Sequence, residues 1–173
     1  MAAQVGGIAH QYGLVREQLS EAETAIAVAI LPVFSIIGRL FGGWVVGQIS
    51  IRKFAIVMMF LQALSLSLLS IGYSALTLCV GLAIFGASVG NLLMLQPLLI
   101  AEAFGVRDYA KIFSLSNLMS SWGTAMGPAV LGIVYAANTN LYQWPYAVAA
   151  MSGALGLSLF LFGGKIMKQN LLL

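Results

Sequence analysis

Apolar residues run through this chain in long stretches, broken by short polar clusters. Two stretches carry no charge: 54–101, 48 residues, and 112–164, 53 residues. A helix crosses a bilayer in about 20 apolar residues, so each stretch holds two helices and a turn. Gly72-Tyr73-Ser74 marks the first turn, and Asn138-Thr139-Asn140, followed by Pro145, marks the second. These residue types punctuate chains for backbone reasons. The pattern predicts spans near 24–47, 54–72, 76–101, 112–136 and 145–164. The first opens on Ser20-Glu21-Ala22-Glu23, a capping box in which Ser20 caps and Glu23 reaches back. The predicted fold class is an all-α polytopic membrane protein with five transmembrane helices, one membrane domain over 1–173. Residues 1–13 are too short to cross and read as the outer end of a truncated preceding helix.

Composition agrees with lipid as the solvent. Of the 173 residues, 61% are hydrophobic and 8% charged, against roughly 25% charged in soluble domains. A domain this small still exposes about a third of its chain surface, and so few charges cannot coat it. A soluble globule and a disordered chain are both excluded. The single Cys79 excludes a disulfide framework and any Cys-built zinc cluster. The net charge of +3 is spread over loops and points to no nucleic acid. No secretory signal precedes Arg16, the first basic residue.

Charge position gives an orientation. Arg52, Lys53, Arg107, Lys111, Lys165 and Lys168 fall on one side of the predicted spans, and Arg16 alone on the other. Positive loops stay inside, so the C-terminus is expected in the cytoplasm and the N-terminus outside, in a multi-pass protein of the plasma membrane. An external start normally needs a signal or an earlier span. The chain therefore reads as the later part of a longer protein; the alternative is a five-span protein that starts at Met1.

Arg39 is the sharpest chemical feature. It sits about 12 Å from the inner end of the first predicted span, against a hydrocarbon half-thickness of about 15 Å. An arginine at that depth costs at least ~2.5 kcal/mol. Its planar fork of donors matches a carboxylate. Arg39 is either a site for an anionic substrate or a structural arginine satisfied by helix carbonyls or by another domain. Asn117, Ser120, Ser121 and Thr124 follow i, i+3, i+4, i+7 spacing and share one helix face; they line a cavity or bond to neighbouring helices. Ser88 and Asn91 share a face of the preceding span, with Gln96-Pro97 on a different one. Four GxxxG pairs, Gly38/Gly42, Gly43/Gly47, Gly86/Gly90 and Gly123/Gly127, allow close helix approach. Glu102 near Arg107, Asp108 and Lys111 is a solvated cluster or part of an inner gate. His10, in His10-Gln11-Tyr12-Gly13, is either a functional side chain or incidental. No catalytic motif and no cofactor motif appears, so the chain does not read as an enzyme.

Gly38-Arg39-Leu40-Phe41-Gly42-Gly43-Trp44, with Arg52-Lys53 after it, resembles the eighth helix and following loop of major facilitator superfamily carriers. The nearest branch is that of the monocarboxylate and oxalate/formate carriers, whose pattern here is GRxxxGWxxD followed by basic residues. Glu102-Ala103-Phe104-Gly105 with Arg107, Tyr109 and Ala110 resembles their loop between helices ten and eleven. Gly123 through Gly127-Pro128 resembles helix eleven, and His10-Gln11-Tyr12 the outer end of helix seven. The resemblance implies the C-terminal half of a twelve-helix carrier, from the end of helix seven through helix twelve. It implies a small organic anion as substrate, a monocarboxylate, carried by symport through alternating access between two halves. Arg39 would bind the carboxylate. Asn91, Asn117, Ser120, Ser121 and Thr124 would supply cavity polarity, and Arg52, Lys53, Glu102 and Arg107 a gating network. The partners implied are the substrate, the bilayer and a missing N-terminal half or second half-carrier. Three positions depart from the pattern: Gly47 or Gln48 stands for the loop Asp, Ser35 for a carboxylate of some members, and span four has no Lys. The alternative in a different class is a five-span packing or assembly subunit, or a truncated carrier without transport of its own.

Overall fold

A computed structural model describes residues 1–72, 74–138 and 141–170, with only the helical backbone for 164–170. Tyr73, Thr139 and Asn140 of the expected turns, and the side chains of Lys165 and Lys168, lie outside the described residues. The described residues form five helices and no strand: α1 (Ala2–Arg16), α2 (Glu21–Val46), α3 (Ile51–Ile71), α4 (Ala75–Ala137) and α5 (Gln143–Asn170). Four segments are long and apolar enough to cross a membrane: Glu21–Val46, Ile51–Ile71, Ala75–Ala137 and Gln143–Gly163. The 15 residues of α1 reach about 22 Å, short of the ~30 Å hydrocarbon layer.

Local chemistry sets the helix starts. The Ser20 hydroxyl accepts from the Glu23 N–H at 3.5 Å, and the Ser20 N–H donates to Glu23 Oε2 at 3.0 Å, which closes the capping box of α2. Ser74 caps α4 by accepting from the Thr77 N–H at 3.2 Å.

The expected third and fourth spans are not separated by a loop. They run together as the 63 residues of α4, about 95 Å if straight and three times the hydrocarbon thickness. Gly105 breaks the run, with φ 70° and ψ 179°, a backbone region open to glycine almost alone. The helix reverses there. Gln96 Nε2 donates to Ser116 Oγ at 3.1 Å and to Ser120 Oγ at 3.3 Å; both pairs bridge Gly105. Residues 75–104 and 106–137 are therefore antiparallel arms, each long enough for one crossing. One left-handed residue makes the reversal, so Glu102 and Lys111 remain helical where a loop is expected.

The N-terminal arm of α4 is the centre of the bundle. It packs against α1, α2 and α3, and α5 lies on α3. Leu78, Leu82, Phe85 and Val89 of that arm meet Leu14 and Val15 of α1, Leu31 of α2, Leu66 and Leu69 of α3, and Tyr146 of α5 in one buried cluster. A smaller cluster joins Phe54, Ala55 and Leu95. The outer faces carry apolar side chains, among them Leu40, 75% exposed, a lipid-facing pattern.

Glycines set the closest approaches. A Cβ on Gly86 would meet the Leu31 backbone, and one on Gly90 the Ser35 backbone. From the other side, a Cβ on Gly38 would stand 2.8 Å from Ala87 Cα, and one on Gly42 would strike Asn91. Gly127 backs onto Ala2 of α1 in the same way. Gly43 has open space around it, so its pair with Gly47 is no seam among the described residues. Gly86→Ala is expected to destabilise the protein by about 1–3 kcal/mol through overpacking. Gly43→Ala should be neutral or stabilising by up to ~1 kcal/mol, from helix propensity alone. Thermal unfolding of both variants in one detergent checks the contrast.

Candidate functional site

Arg39 stands on an exposed flank of α2, beside Gly38, which is buried against α4. Its guanidinium forms no hydrogen bond or ion pair with the described residues. No helix carbonyl satisfies it there, so its five donors are left on the exposed flank of a helix long and apolar enough to cross a membrane.

The polar row of α4 comes together as its spacing implies. Asn117, Ser120, Ser121 and Thr124 line one groove of about 310 Å³ with Leu93, Gln96, Pro97 and Phe113. Ser121 Oγ donates to the Asn117 carbonyl at 2.9 Å. Ser120 is half-buried and the other three are exposed. Two prolines act on residues of this lining. Pro97 has no N–H for the Leu93 carbonyl four residues earlier, and Pro128 has none for that of Thr124. Both Leu93 and Thr124 line the groove, which also holds hydroxyls and the amides of Gln96 and Asn117.

Gln96 forms the far wall and was not among the expected site residues. It reaches the row only because α4 folds back at Gly105. It also borders a neighbouring cavity of about 320 Å³, lined in part by Gln4, Gln62 and Ser116. Gln4 Nε2 donates to Gln62 Oε1 at 3.2 Å, with Gln4 4% and Gln62 7% exposed. An amide within an apolar span was the available signal for Gln62, since buried amides in lipid need partners.

Asn91 lies elsewhere. It is 3% exposed, donates to the Ala87 carbonyl of its own helix at 2.9 Å, and presses against Gly42. Its Oδ1 is buried with no hydrogen-bond partner. The cavity it borders, about 310 Å³, is otherwise apolar, with Phe34, Phe41, Phe54 and Met58 among its walls. The structure brings neither Asn91 nor Arg39 into the groove of the row.

The expected network of Arg52, Lys53, Glu102 and Arg107 does not form among the described residues. Arg52 turns to α5 instead. It donates to the Phe160 and Leu161 carbonyls at 3.4 and 3.5 Å and lies 5.4 Å from the Phe160 ring centroid. Backbone carbonyls and an aromatic face satisfy a guanidinium without a carboxylate. Lys53, Glu102 and Arg107 are exposed, where water competes with pairing. The one ion pair among the described residues is Arg16 with Glu21, at 3.9 Å.

At the other end, His10 Nε2 donates to the Pro128 carbonyl at 3.0 Å. Tyr142 stacks on Tyr135 with ring centroids 4.3 Å apart, and its backbone N–H donates to Glu17 Oε2 at 3.4 Å. Burial raises the Glu17 carboxyl above its ordinary value, partly offset by that N–H. Among the described residues no three His, Cys, Asp or Glu side chains gather where they could hold a metal.

The sequence profile of the Major Facilitator Superfamily matches residues 1–168. The chain belongs to the major facilitator superfamily. No curated protein matches it. Membership makes the chain part of a transporter family, so its partners are a small-molecule substrate and the membrane lipid, and its helices are those of an integral multi-pass protein.

In this major facilitator chain Gln96 is the polar bridge between the arms of α4. Gln96→Leu should lower stability by about 0.6–1.7 kcal/mol, the range for hydrogen bonds between membrane helices, read as a lower thermal midpoint. Glu17 gives a pH prediction. Its carboxyl is raised in the fold, so its contribution is fully present below the unfolded value and is lost as pH rises through the folded one. Glu17→Gln should flatten that decline in thermal midpoint above pH ~4.5.

Proposed function

We propose that this chain is the C-terminal half of a major facilitator carrier for a small organic anion, a monocarboxylate. It would work in the plasma membrane by alternating access, coupled as a symporter, in the branch of the monocarboxylate and oxalate/formate carriers. Its N-terminal end would face outward and its C-terminus the cytoplasm. The observation that carries the reading is Arg39, a cation within an apolar span and without a partner among the described residues. A lipid-facing charge there costs at least ~2.5 kcal/mol. A carboxylate from an aqueous pathway meets that cost with a charge-assisted, bidentate contact.

Asn117, Ser120, Ser121 and Thr124 supply hydrogen bonds to the rest of the substrate or to water around it. Their shared groove supports that role. Asn91, buried against Gly42, is better suited to fixing the α2–α4 contact. Arg39, Asn117, Ser121 and Thr124 are all exposed in this half. A second half-bundle would cover them and complete the pathway, as alternating access requires. Arg52, Lys53, Arg107 and Lys111 would face the cytoplasm, in keeping with the positive-inside rule.

The test is Arg39→Ala in the complete transporter, assayed for uptake of labelled monocarboxylates and dicarboxylates. Losing one partner of a buried charge pair costs about 2–5 kcal/mol, so uptake should fall at least thirtyfold at unchanged membrane abundance. Arg39→Lys should recover part of it, because it keeps the charge and loses the fork. Wild-type uptake by Arg39→Ala would overturn the assignment.

A further inference from the structure

Pro32 lies inside α2, and a proline there brings a specific deficit. It has no N–H, so the Val28 carbonyl four residues earlier loses its helix donor, and the ring crowds that same carbonyl. In a bilayer an unsatisfied backbone group is expensive. The deficit is met from another helix. Gln11 of α1 is 4% exposed, and its Nε2 donates to the Val28 carbonyl at 2.8 Å.

We infer that Gln11 is a positioning residue: its side-chain amide stands in for the N–H that Pro32 lacks and so fixes the course of α2 on the way to Arg39. Arg39 is seven residues beyond Pro32, about 10 Å along the axis. A change of about 10° at Pro32 would move the Arg39 backbone by about 2 Å over that length. Misplacements near 1 Å at a binding group can cost on the order of a hundredfold in rate. Val28 and Arg39 are eleven residues apart, about three turns, and therefore share a flank of α2. The amide thus grips the flank from which the arginine projects. The adjacent His10 bonds the Pro128 carbonyl of α4 at 3.0 Å. Two consecutive side chains of α1 therefore tie it to two proline-bearing helices, one carrying Arg39 and one carrying the polar row.

The bond itself stands on the geometry above, while its effect on transport rests on the Arg39 reading. A double-mutant cycle in the complete transporter separates the two. Gln11→Leu alone should lower the thermal midpoint by about 2–4 °C and raise KM for the anion on the order of tenfold, with a smaller change in kcat. Pro32→Ala returns an N–H to the Val28 carbonyl. In that background Gln11→Leu should leave both midpoint and KM nearly unchanged. If Gln11→Leu alone prevents accumulation, Pro32→Ala should restore it. Equal losses in the two backgrounds, or no rescue, would overturn the inference. A coupled midpoint with KM unmoved by Gln11→Leu would overturn the positioning role. Wild-type uptake by Arg39→Ala beside a coupled midpoint would sink the substrate assignment and leave the Gln11 bond standing.

Discussion

The close contact between α2 and the N-terminal arm of α4 is the constraint on which the rest of this structure depends. Membrane helices gain little from hiding apolar surface, because lipid is as apolar as a leucine. They associate by packing and by hydrogen bonds. Here Gly86 and Gly90 of α4 receive the backbone at Leu31 and Ser35, and Gly38 and Gly42 of α2 receive Ala87 and Asn91. Two glycine pairs interlock from opposite sides, so neither helix can slide without meeting a side chain. The same arm of α4 carries Leu78, Leu82 and Phe85, around which α1, α3 and α5 assemble. Arg39 sits beside Gly38, so the seam that builds the core also fixes the height of the charge. Asn91, with its unpartnered Oδ1, is accepted because Gly42 leaves it room.

The second constraint is the reversal at Gly105. It costs a single residue of helix and converts one 63-residue segment into two arms. Gln96 then bonds across to Ser116 and Ser120. One amide serves as both strut and wall: it holds the arms together and closes the groove over the hydroxyl row. Pro97 beside it takes the donor from Leu93 on the same wall. Polarity in the groove therefore comes from both arms of α4, and the helical reversal is what gathers it.

Much of this architecture was legible in sequence. Charge-free stretches located the long helices, Ser20 and Glu23 announced the start of α2, and 3.6-residue periodicity put Asn117, Ser120, Ser121 and Thr124 on one face. Periodicity is a property of one helix, and it stops there. It could not say that Gln96 meets Ser120, because that contact depends on a reversal at Gly105. The charges of Glu102, Arg107, Asp108 and Lys111 made 102–111 read as a loop, although it is helical on both sides of Gly105. Asn91 and Asn117 looked alike as polar residues in spans, yet one is sealed in a seam and the other open to a groove. Arg52 was expected in a charge network, and its carbonyl partners at Phe160 and Leu161 leave no trace in side-chain identity. Gly43 and Gly47 match the small-residue spacing of the true seams, and only the neighbour on the other side tells them apart.

The prolines connect these points. Three lie inside the long helices, Pro32 in α2 and Pro97 and Pro128 in α4, and each withdraws a donor from a carbonyl in a medium that supplies none. Val28 is repaid by Gln11 of α1. Leu93 and Thr124 line the groove, beside its hydroxyls and amides. A helix wholly facing lipid could not carry the first solution, since it needs a neighbouring amide. Pro32 is therefore matched to a packed interface and Pro97 and Pro128 to a polar one. The glycine seam, the reversal and the prolines then describe one arrangement: a rigid α2–α4 core, with the helix breaks placed only where something polar is at hand to meet them.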